Sequence, residues 1–283
     1  MIVDSHFHVW DAATRRHDWL ELAPKLERRY TIGQYEALAR ENSVEGAVLV
    51  QVLNDADETL EFLDAAFESP VVSAVVGWVD LEAPDVSQRL LALQESRHGD
   101  LLVGVRHLVE AESDPHFLER PSVRRGLDAV ARSGLVFDLL VRPHQLASAL
   151  RAVRSCEGLR VVLDHAGLPD LADLNAYAWS FNVGELAATG RVACKLSGFV
   201  TEVSPATSSA AVREVVSFLV EKFTTRAVLF GSDWPVCLQA ASFGDVLSLA
   251  RASVPELNLV ELEDVFGENA RRWYRMKDRD VAT

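Results

Sequence analysis

The chain begins with Met1-Ile2-Val3-Asp4-Ser5-His6-Phe7-His8, a short apolar start followed by two histidines that stand two positions apart. Ile2 and Val3 favour a β-strand, and the side chains of a strand alternate between its two faces. His6 and His8 therefore project from the same side, where two imidazoles can bind a divalent metal or polarise a carbonyl oxygen. A His-x-His pair alone has little specificity, and the rest of the chain decides its meaning.

Short runs rich in β-branched and other apolar residues recur along the chain. They are Ile2–His6, Val44–Val50, Val71–Val79, Leu101–Arg106, Leu135–Val141, Arg160–Asp164, Arg191–Leu196 and Ala227–Phe230. Most are separated by segments with the apolar spacing of helices, as in Glu58–Phe67, Val86–Gln94, Val123–Ala131, Leu146–Val153 and Val212–Phe223. Apolar strands that alternate with helices predict a parallel sheet that is buried on both faces.

Eight such units predict an α/β fold: a single (β/α)8 TIM barrel that forms one domain over residues 1–283, since such barrels commonly reach about 250 residues. An open doubly wound sheet is the alternative. That sheet usually carries a Gly-rich phosphate-binding turn after its first strand, where this chain has His6-Phe7-His8-Val9-Trp10 instead.

Three further segments have predicted places around the barrel. Trp10–Tyr30 is expected to be an N-terminal loop excursion over the barrel mouth, with its aromatic residues as an apolar anchor or, alternatively, a lid. Ser204–Ser209 is expected to be a loop before a helix. Leu259–Tyr274 is predicted to be a C-terminal closing helix. Its predicted buried side is formed by Val260, Val265, Phe266 and Trp273.

Composition excludes several classes of protein. The net charge of −14 repels polyanions, which argues against DNA or RNA as a partner. No apolar run approaches the roughly 18 residues of a membrane span, and no signal peptide is recognisable. We therefore predict a soluble, cytoplasmic protein without a membrane partner and make no prediction of its oligomeric state. The cysteines are odd in number, far apart and without a Cys-x-x-Cys pair, so neither a disulfide framework nor a cysteine-based zinc site is indicated: Cys156, Cys194 and Cys237.

Polar side chains stand at the C-terminal ends of the predicted strands, where a (β/α)8 barrel carries its active site. In strand order they are His6 with His8, Gln51, Trp78 with Asp80, Arg106 with His107, Asp138, Asp164 with His165, Lys195, and Asp233 with Trp234. Burying such groups without partners would be costly, so their convergence on one mouth indicates a site.

Individual members of this set also have structural explanations. Asp233 could cap a local turn, because aspartate accepts backbone hydrogen bonds. Arg106 and Asp138 could pair with each other. An ion-pair role in the barrel interior is preferred for Lys195. Asp164 is predicted to be structural, because it alternates out of phase with the histidine that follows it.

Five segments resemble the amidohydrolase superfamily, and most closely its lactonase branch. They are His6-Phe7-His8, Gly104-Val105-Arg106-His107, Leu163-Asp164-His165-Ala166-Gly167, Lys195-Leu196-Ser197-Gly198 and Phe230-Gly231-Ser232-Asp233-Trp234-Pro235. The resemblance extends from residue 2 to residue 273. It implies that Asp233 is the general base on the attacking water. It also implies that His6 and His8 contact a metal or the lactone carbonyl, and that His165 polarises that carbonyl.

The chain departs from the two-metal members of the superfamily. Those members typically have a carboxylated lysine or a glutamate after the fourth strand and a histidine on the fifth. The corresponding segments here contain Arg106-His107 and Asp138. We therefore expect either no required cofactor or one divalent metal, zinc or manganese, bound by His6, His8 and Asp233.

The predicted substrate contacts combine donors, acceptors and aromatic rings: Gln51, Trp78, Arg106, His107, Asp138 and Trp234. This mixture suits a polyhydroxylated sugar lactone of the L-fucono or L-rhamnono type better than a dicarboxylated pyrone, which would need several converging cations. The alternatives are a metal-dependent decarboxylase of the same superfamily and a pyrone-dicarboxylate or muconolactone-type lactonase. A TatD-like nuclease is disfavoured by the charge, and a barrel that only binds a sugar acid is the non-enzymatic alternative.

Overall fold

The computed structural model describes residues 1–171, 177–201 and 209–277. Eight parallel strands form one sheet in chain order, and each pairs with the next. The strands are β1 (Ile2–Phe7), β2 (Val44–Val50), β3 (Val72–Gly77), β4 (Leu102–His107), β5 (Val136–Leu139), β6 (Arg160–Leu163), β7 (Val192–Leu196) and β8 (Val228–Phe230). The sheet closes where Phe7 bridges Trp234, beyond the end of β8. The predicted (β/α)8 barrel is therefore confirmed.

A helix follows each strand. The helices are α1 (Ile32–Glu41), α2 (Ala56–Glu68), α3 (Val86–Glu95), α4 (Pro121–Ser133), α5 (Leu146–Ser155), α6 (Tyr177–Ala188), α7 (Ser209–Phe223) and α8 (Phe243–Ser253). Side-chain caps start three of them: Thr31 accepts from Gln34 N at α1, Asp55 accepts from Asp57 N at α2, and Ser242 accepts from Asp245 N at α8. Of the predicted loop Ser204–Ser209, residues 204–208 lie outside the described residues. Within the described ranges, no helix has the length and apolar character of a membrane span.

Two predicted strands extend too far at both ends. Val71–Val79 is a strand only over β3, and Leu135–Val141 is a strand only over β5. The residues beyond the strands are nevertheless buried, since Val79 and Val141 are 3% and 0% exposed. The apolar runs in the sequence are therefore longer than the strands, because they include apolar side chains that are buried at the adjoining turns.

The interior of the barrel changes from apolar to charged along the strands. One apolar cluster collects Val3, Val48, Val50, Ala74, Val76, Val136, Val162, Ala193 and Leu229, together with Ala270 and Tyr274. A strand repeats its facing every two residues. Asp138, Asp164 and Lys195 therefore share the inward face with Val136, Val162 and Ala193, one step closer to the C-terminal ends. This charged layer lies directly under the mouth.

The closing helix runs through three continuous segments: α9 (Leu259–Glu263), a π-helical turn (Asp264–Glu268) and α10 (Asn269–Tyr274). Val265 and Phe266 are buried as predicted, but Val260 is 67% exposed and Trp273 is only partly buried. A π-turn holds more residues than an α-turn and so rotates the residues that follow it. Tyr274 consequently takes the buried position, where its hydroxyl donates to Asp138 Oδ2 at 2.7 Å.

The Trp10–Tyr30 excursion lies over the mouth, as predicted. Trp10–Asp11 pairs antiparallel with Arg29–Tyr30, and two 3₁₀ turns, Asp18–Leu22 and Pro24–Leu26, connect them. The Trp10 ring meets the rings of Trp19 and Tyr30 at centroid distances of 5.0 Å. These aromatic contacts hold the excursion together.

Candidate active site

Four side chains converge at the C-terminal ends of β1, β6 and β8. His6 Nε2 and His8 Nε2 are 3.0 Å apart. Asp233 Oδ1 lies 3.8 Å from His6 Nε2, 3.6 Å from His8 Nε2 and 3.9 Å from His165 Nε2. All four residues are buried. One carboxylate thus faces three imidazoles where little water reaches them.

Left-handed backbone conformations orient the side chains of two of these residues, His165 and Asp233. The φ angles are +50° at His165, +54° at Ala166 and +51° at Leu168, and Asp233 has a φ of +54°. Non-glycine residues adopt this region at an energetic cost, and such strain concentrates at functional sites. The Asp233 N–H donates to His6 O at 2.8 Å, which helps to hold the strained residue in place.

A buried ionic layer lies beneath the imidazoles. Lys195 Nζ is 2.6 Å from Asp138 Oδ2 and 2.9 Å from Asp164 Oδ1. Arg106 Nη1 donates to Asp164 Oδ2 at 3.2 Å. Lys195 thus has the predicted ion-pair role. The alternative in which Arg106 pairs with Asp138 does not occur: the two residues are register neighbours on β4 and β5, but Arg106 pairs with Asp164 and Asp138 pairs with Lys195.

Asp164 belongs to the site as well as to the ionic layer. Its Oδ1 lies 3.4 Å from His6 Nδ1. Burial would raise the pKa of Asp164, but the positive charges of Lys195 and Arg106 hold this pKa well below its usual value. Asp164 was predicted to point away from His165 because neighbouring residues of a strand face opposite sides. The alternation does not apply here, because β6 ends at Leu163 and the left-handed backbone turns His165 toward His6 and Asp233 as well.

Burial keeps the three histidines neutral. It lowers the pKa of His6 well below the ordinary value, with the Lys195 charge adding to the effect, and it lowers the pKa of His8 to about 3. Burial lowers the pKa of His165 too. It has the opposite effect on Asp233, whose pKa it raises. The site therefore combines neutral imidazoles with a carboxylate that is more basic than an exposed aspartate.

Hydrogen-bond partners assign the protons of two imidazoles. His8 Nδ1 lies 2.8 Å from Val50 O, and a carbonyl oxygen can only accept, so Nδ1 carries the proton and Nε2 is an acceptor. Lys195 Nζ donates to His6 Nδ1 at 3.0 Å, which puts the His6 proton on Nε2, facing His8. The approach of Arg106 Nη1 to His6 Nε2 is longer, at 3.3 Å.

A cavity of about 300 Å³ opens from this cluster, at the lower end of the size range of small-molecule sites. His8, Arg106, His165 and Asp233 form its inner end. Among the residues that the structure describes, the rest of the wall consists of Trp10, Trp19, Val52, Leu108, Glu110, Ala111, Leu140, Arg142, Leu168, Gly198, Thr201, Val236 and Gln239. Aromatic, aliphatic and polar groups thus surround space for one small ring.

An amidohydrolase family model matches residues 3–276. The chain belongs to the amidohydrolase family. An L-fucono-1,5-lactonase from Burkholderia ambifaria is 33% identical over 244 residues, which cover 86% of this chain and 83% of that protein. An L-fucono-1,5-lactonase from Burkholderia multivorans is 32% identical over 98% of this chain and 96% of its own length. The crystal structure of a Burkholderia multivorans amidohydrolase with bound zinc has a TM-score of 0.91 at 32% identity, with 98% of this chain and 100% of that chain covered. The predicted superfamily is confirmed.

Two predicted substrate contacts of this amidohydrolase lie outside the cavity wall. Trp78 Nε1 donates to His107 Nδ1 at 3.2 Å, and His107 Nε2 bonds to Glu112 Oε1 at 2.8 Å. The His107 ring also stacks on Phe117 at a centroid distance of 4.7 Å. Because Arg106 points into the barrel, its neighbour His107 points out of it. Their assignment as substrate contacts is therefore corrected.

Three further predicted contacts of the amidohydrolase are buried in its framework. Gln51 is fully buried and its Nε2 donates to Arg106 O at 3.2 Å. Asp138 is fully buried in the ionic layer, and Trp234 packs edge-on against Tyr30 at 5.5 Å. Of the predicted set, only Arg106 lines the cavity, and its charge is already paired.

Among the cavity residues that were missed as candidate site residues, four have aromatic or charged side chains. Trp10 and Trp19 come from the excursion, and Glu110 and Arg142 come from the loops after β4 and β5. The position of these loops after barrel strands was a signal that could have been used, since such loops build active sites. Their sequences carry no motif that selects the residues facing inward.

A larger cavity of about 480 Å³ lies between the excursion and α2 of the amidohydrolase. Arg15 on its wall donates twice to Glu61, at 3.0 and 2.8 Å. Glu58 accepts from Val52 N and Leu53 N at 2.8 and 3.0 Å. These charged groups satisfy local partners, and the cavity is separate from the histidine cluster, so we place the chemistry in the smaller cavity.

Proposed function

We propose that this amidohydrolase hydrolyses the cyclic ester of a sugar lactone of the L-fucono-1,5-lactone type. The two Burkholderia relatives support this substrate class, at 33% and 32% identity. The observation that carries the reaction type is the carboxylate of Asp233 within 3.9 Å of three neutral imidazoles. Lactone hydrolysis needs a base for water and donors for the carbonyl oxygen, and this set can supply both.

Asp233 is the proposed general base. Lactone hydrolysis is acyl transfer to water through an oxyanionic tetrahedral intermediate. Asp233 takes a proton from the water molecule as the water oxygen bonds to the carbonyl carbon. It then returns that proton to the ring oxygen as the carbon–oxygen bond of the ester breaks. Its raised pKa suits the first step because it makes the carboxylate a stronger base.

His165 is the proposed donor to the carbonyl oxygen, because it lines the cavity, whereas His6 lies behind the wall and directs its proton at His8. The His6 proton is on Nε2. Ser197 Oγ lies 2.8 Å from His165 Nδ1 and can donate to it, which leaves the His165 proton on Nε2 as well. His8 differs, because its single proton is committed to Val50 O. Neutral His8 therefore does not donate to the carbonyl oxygen, because its free Nε2 can only accept.

The same cluster fits one divalent metal. The lone pair of His8 Nε2 meets His6 Nε2 at 3.0 Å, and Asp233 Oδ1 lies within 3.8 Å of both. Imidazole nitrogens and a carboxylate oxygen are zinc ligands, and these three residues would hold the ion once His6 Nε2 had released its proton. A bound ion would supply Lewis-acid polarisation of the lactone carbonyl. Lys195 and Arg106 place positive charge on both sides of His6, so we expect weak metal binding.

A metal-dependent decarboxylase of the superfamily is the alternative reaction. It would share the histidines and Asp233, and it would be recognised by tight zinc binding and carbon dioxide release. L-rhamnono lactone, pyrone dicarboxylate and muconolactone are the alternative substrates. The relatives named above favour the L-fucono type among them.

A pH-indicator assay over a lactone panel tests the proposal. The panel contains L-fucono, L-rhamnono, L-galactono and D-arabinono lactones with pyrone dicarboxylate and muconolactone, each with chelated and with zinc- or manganese-supplemented enzyme. We expect turnover of a sugar lactone that falls about 10²–10⁴-fold in Asp233→Asn. The exposed Asp57→Asn is the matched control and should retain full activity. Absence of turnover of every lactone in both metal states would contradict the proposal and favour decarboxylation.

A further inference from the structure

Glu110 is a carboxylate on the cavity wall that the proposed reaction does not use. It lies in the 3₁₀ turn Val109–Ala111, shortly after β4. Two hydrogen bonds fix this turn: Glu110 N donates to Leu140 O at 3.1 Å, and Gln145 Nε2 donates to Val109 O at 2.7 Å. The carboxylate therefore has a defined position on the wall.

Arg142 meets Glu110 from the loop after β5. Its Nη2 is 3.3 Å from Glu110 Oε2, and its backbone N–H donates to Gln145 Oε1 at 2.9 Å. Both side chains line the cavity and remain accessible, with 29% of Glu110 and 47% of Arg142 exposed. An accessible ion pair contributes little to stability, so this pair is not required to stabilise the fold. The Glu110–Arg142 pair retains free acceptor and donor positions for a ligand.

The charges around the cavity disfavour an anionic ligand. Arg106 is paired with Asp164 and Arg142 is paired with Glu110. Among the described residues of the wall, these arginines are the only arginine or lysine side chains, and the charge of each is already balanced by a carboxylate. A carboxylated lactone would meet Asp233 and Glu110 without a free cation to bind it.

We propose that Glu110 and Arg142 bind adjacent hydroxyl groups of the lactone ring and thereby select neutral polyhydroxylated lactones over carboxylated ones. The two carboxylate oxygens accept from vicinal hydroxyls, and the planar guanidinium donates to hydroxyl oxygens. Trp10 and Trp19 present aromatic surface to the apolar edge of the ring. This inference rests on the proposed lactonase function.

Substitution of the pair tests the inference with two substrates. One is the sugar lactone that the wild type hydrolyses best, and the other is δ-valerolactone, a six-membered lactone without hydroxyl groups. We expect Glu110→Gln to lower the ratio of kcat/KM for the sugar lactone over δ-valerolactone roughly 10- to 100-fold, the effect of losing a hydrogen bond to a charged group. Arg142→Met should lower the same ratio, and thermal melts establish that both variants are folded.

Glu119→Gln is the matched control, because Glu119 also pairs with an arginine, at 2.7 Å from Arg151, but lies outside the cavity. The ratio should not change in this control. Equal losses on both substrates, or an unchanged ratio in Glu110→Gln, would overturn the inference and leave the lactonase proposal intact. A wild-type enzyme that hydrolyses no lactone would overturn the lactonase proposal itself.

Discussion

Lys195 Nζ lies 3.0 Å from His6 Nδ1 inside the barrel, where both side chains are fully buried. The same ammonium contacts Asp138 at 2.6 Å and Asp164 at 2.9 Å. Lys195 therefore connects a site histidine to the ionic layer and puts the His6 proton on Nε2. A residue of β7 thus controls which nitrogen of a β1 residue carries the proton that faces His8.

Removal of this ammonium should strongly destabilise the fold. We expect Lys195→Met to lower the free energy of unfolding by about 3–5 kcal/mol, because it leaves buried carboxylates without their partner. The control is Lys222→Met on α7, where the side chain is 40% exposed and pairs with Glu221. That change should cost no more than about 1 kcal/mol. Urea denaturation measures the free energy of unfolding of both variants. Equal losses would contradict a stabilising role for the buried ionic layer.

Gly198 provides a steric test of the role of His165. Its φ is +73°, and an added Cβ would lie 2.8 Å from His165 Cβ and Cγ. Gly198→Ala should therefore displace the imidazole and lower kcat about 10²–10³-fold, as the loss of one oxyanion donor does. Gly190→Ala is the control, since its φ is +67° with no atom within 4 Å of the added Cβ.

Both alanine variants should lose roughly 1–2 kcal/mol of stability from the left-handed backbone. Only Gly198→Ala should lose kcat for the lactone substrate. Steady-state kinetics and thermal melts separate the two effects. A similar loss of kcat in Gly190→Ala would show that backbone strain, not contact with His165, is responsible.

The pH profile of kcat/KM should show a single decrease on its acidic side. A general base must be deprotonated, so kcat/KM falls as the pH decreases through the pKa of Asp233, which burial raises above 3.8. The pKa of His8 is lowered to about 3, so this imidazole stays neutral as the pH decreases toward 3.8. A pH profile of kcat/KM checks this expectation. A second decrease of kcat/KM at acidic pH, in addition to the one caused by Asp233, would show that an imidazole becomes protonated and would contradict this expectation.

Glu58 should make stability depend on pH. Burial raises its pKa from 4.5 to about 7, so the folded protein binds this proton more tightly than the unfolded chain. Its contribution to stability is therefore present below pH 4.5 and is lost as the pH rises toward 7. Glu58→Gln keeps an acceptor for Val52 N and Leu53 N without the titrating charge.

The stability of Glu58→Gln relative to wild type should rise with pH by up to about 1.4 kcal/mol per unit within that window. Urea denaturation at about pH 5 and about pH 7 measures the change. The exposed Glu45→Gln serves as the control and should show no such trend. A pH-independent difference for Glu58→Gln would contradict the raised pKa.

Local patterns in the sequence determined the barrel and the main members of the site. Strand and helix periodicities are properties of neighbouring residues, so they could be read without coordinates. The C-terminal ends of parallel strands meet at one mouth, and His6, His8 and Asp233 therefore had to approach one another. Arg106 was expected on the cavity for the same reason, and it is there.

Only the tertiary structure decided which polar groups face the cavity and which lie beneath it. Asp138 and Arg106 are register neighbours, yet distant partners direct one into the ionic layer and leave the other on the cavity wall. The left-handed backbone at His165 and the loop that carries Glu110 have no periodic signal. Their positions depend on contacts between residues far apart in the chain. Such contacts form only when the whole barrel is packed, because each orientation must satisfy burial and hydrogen bonding together.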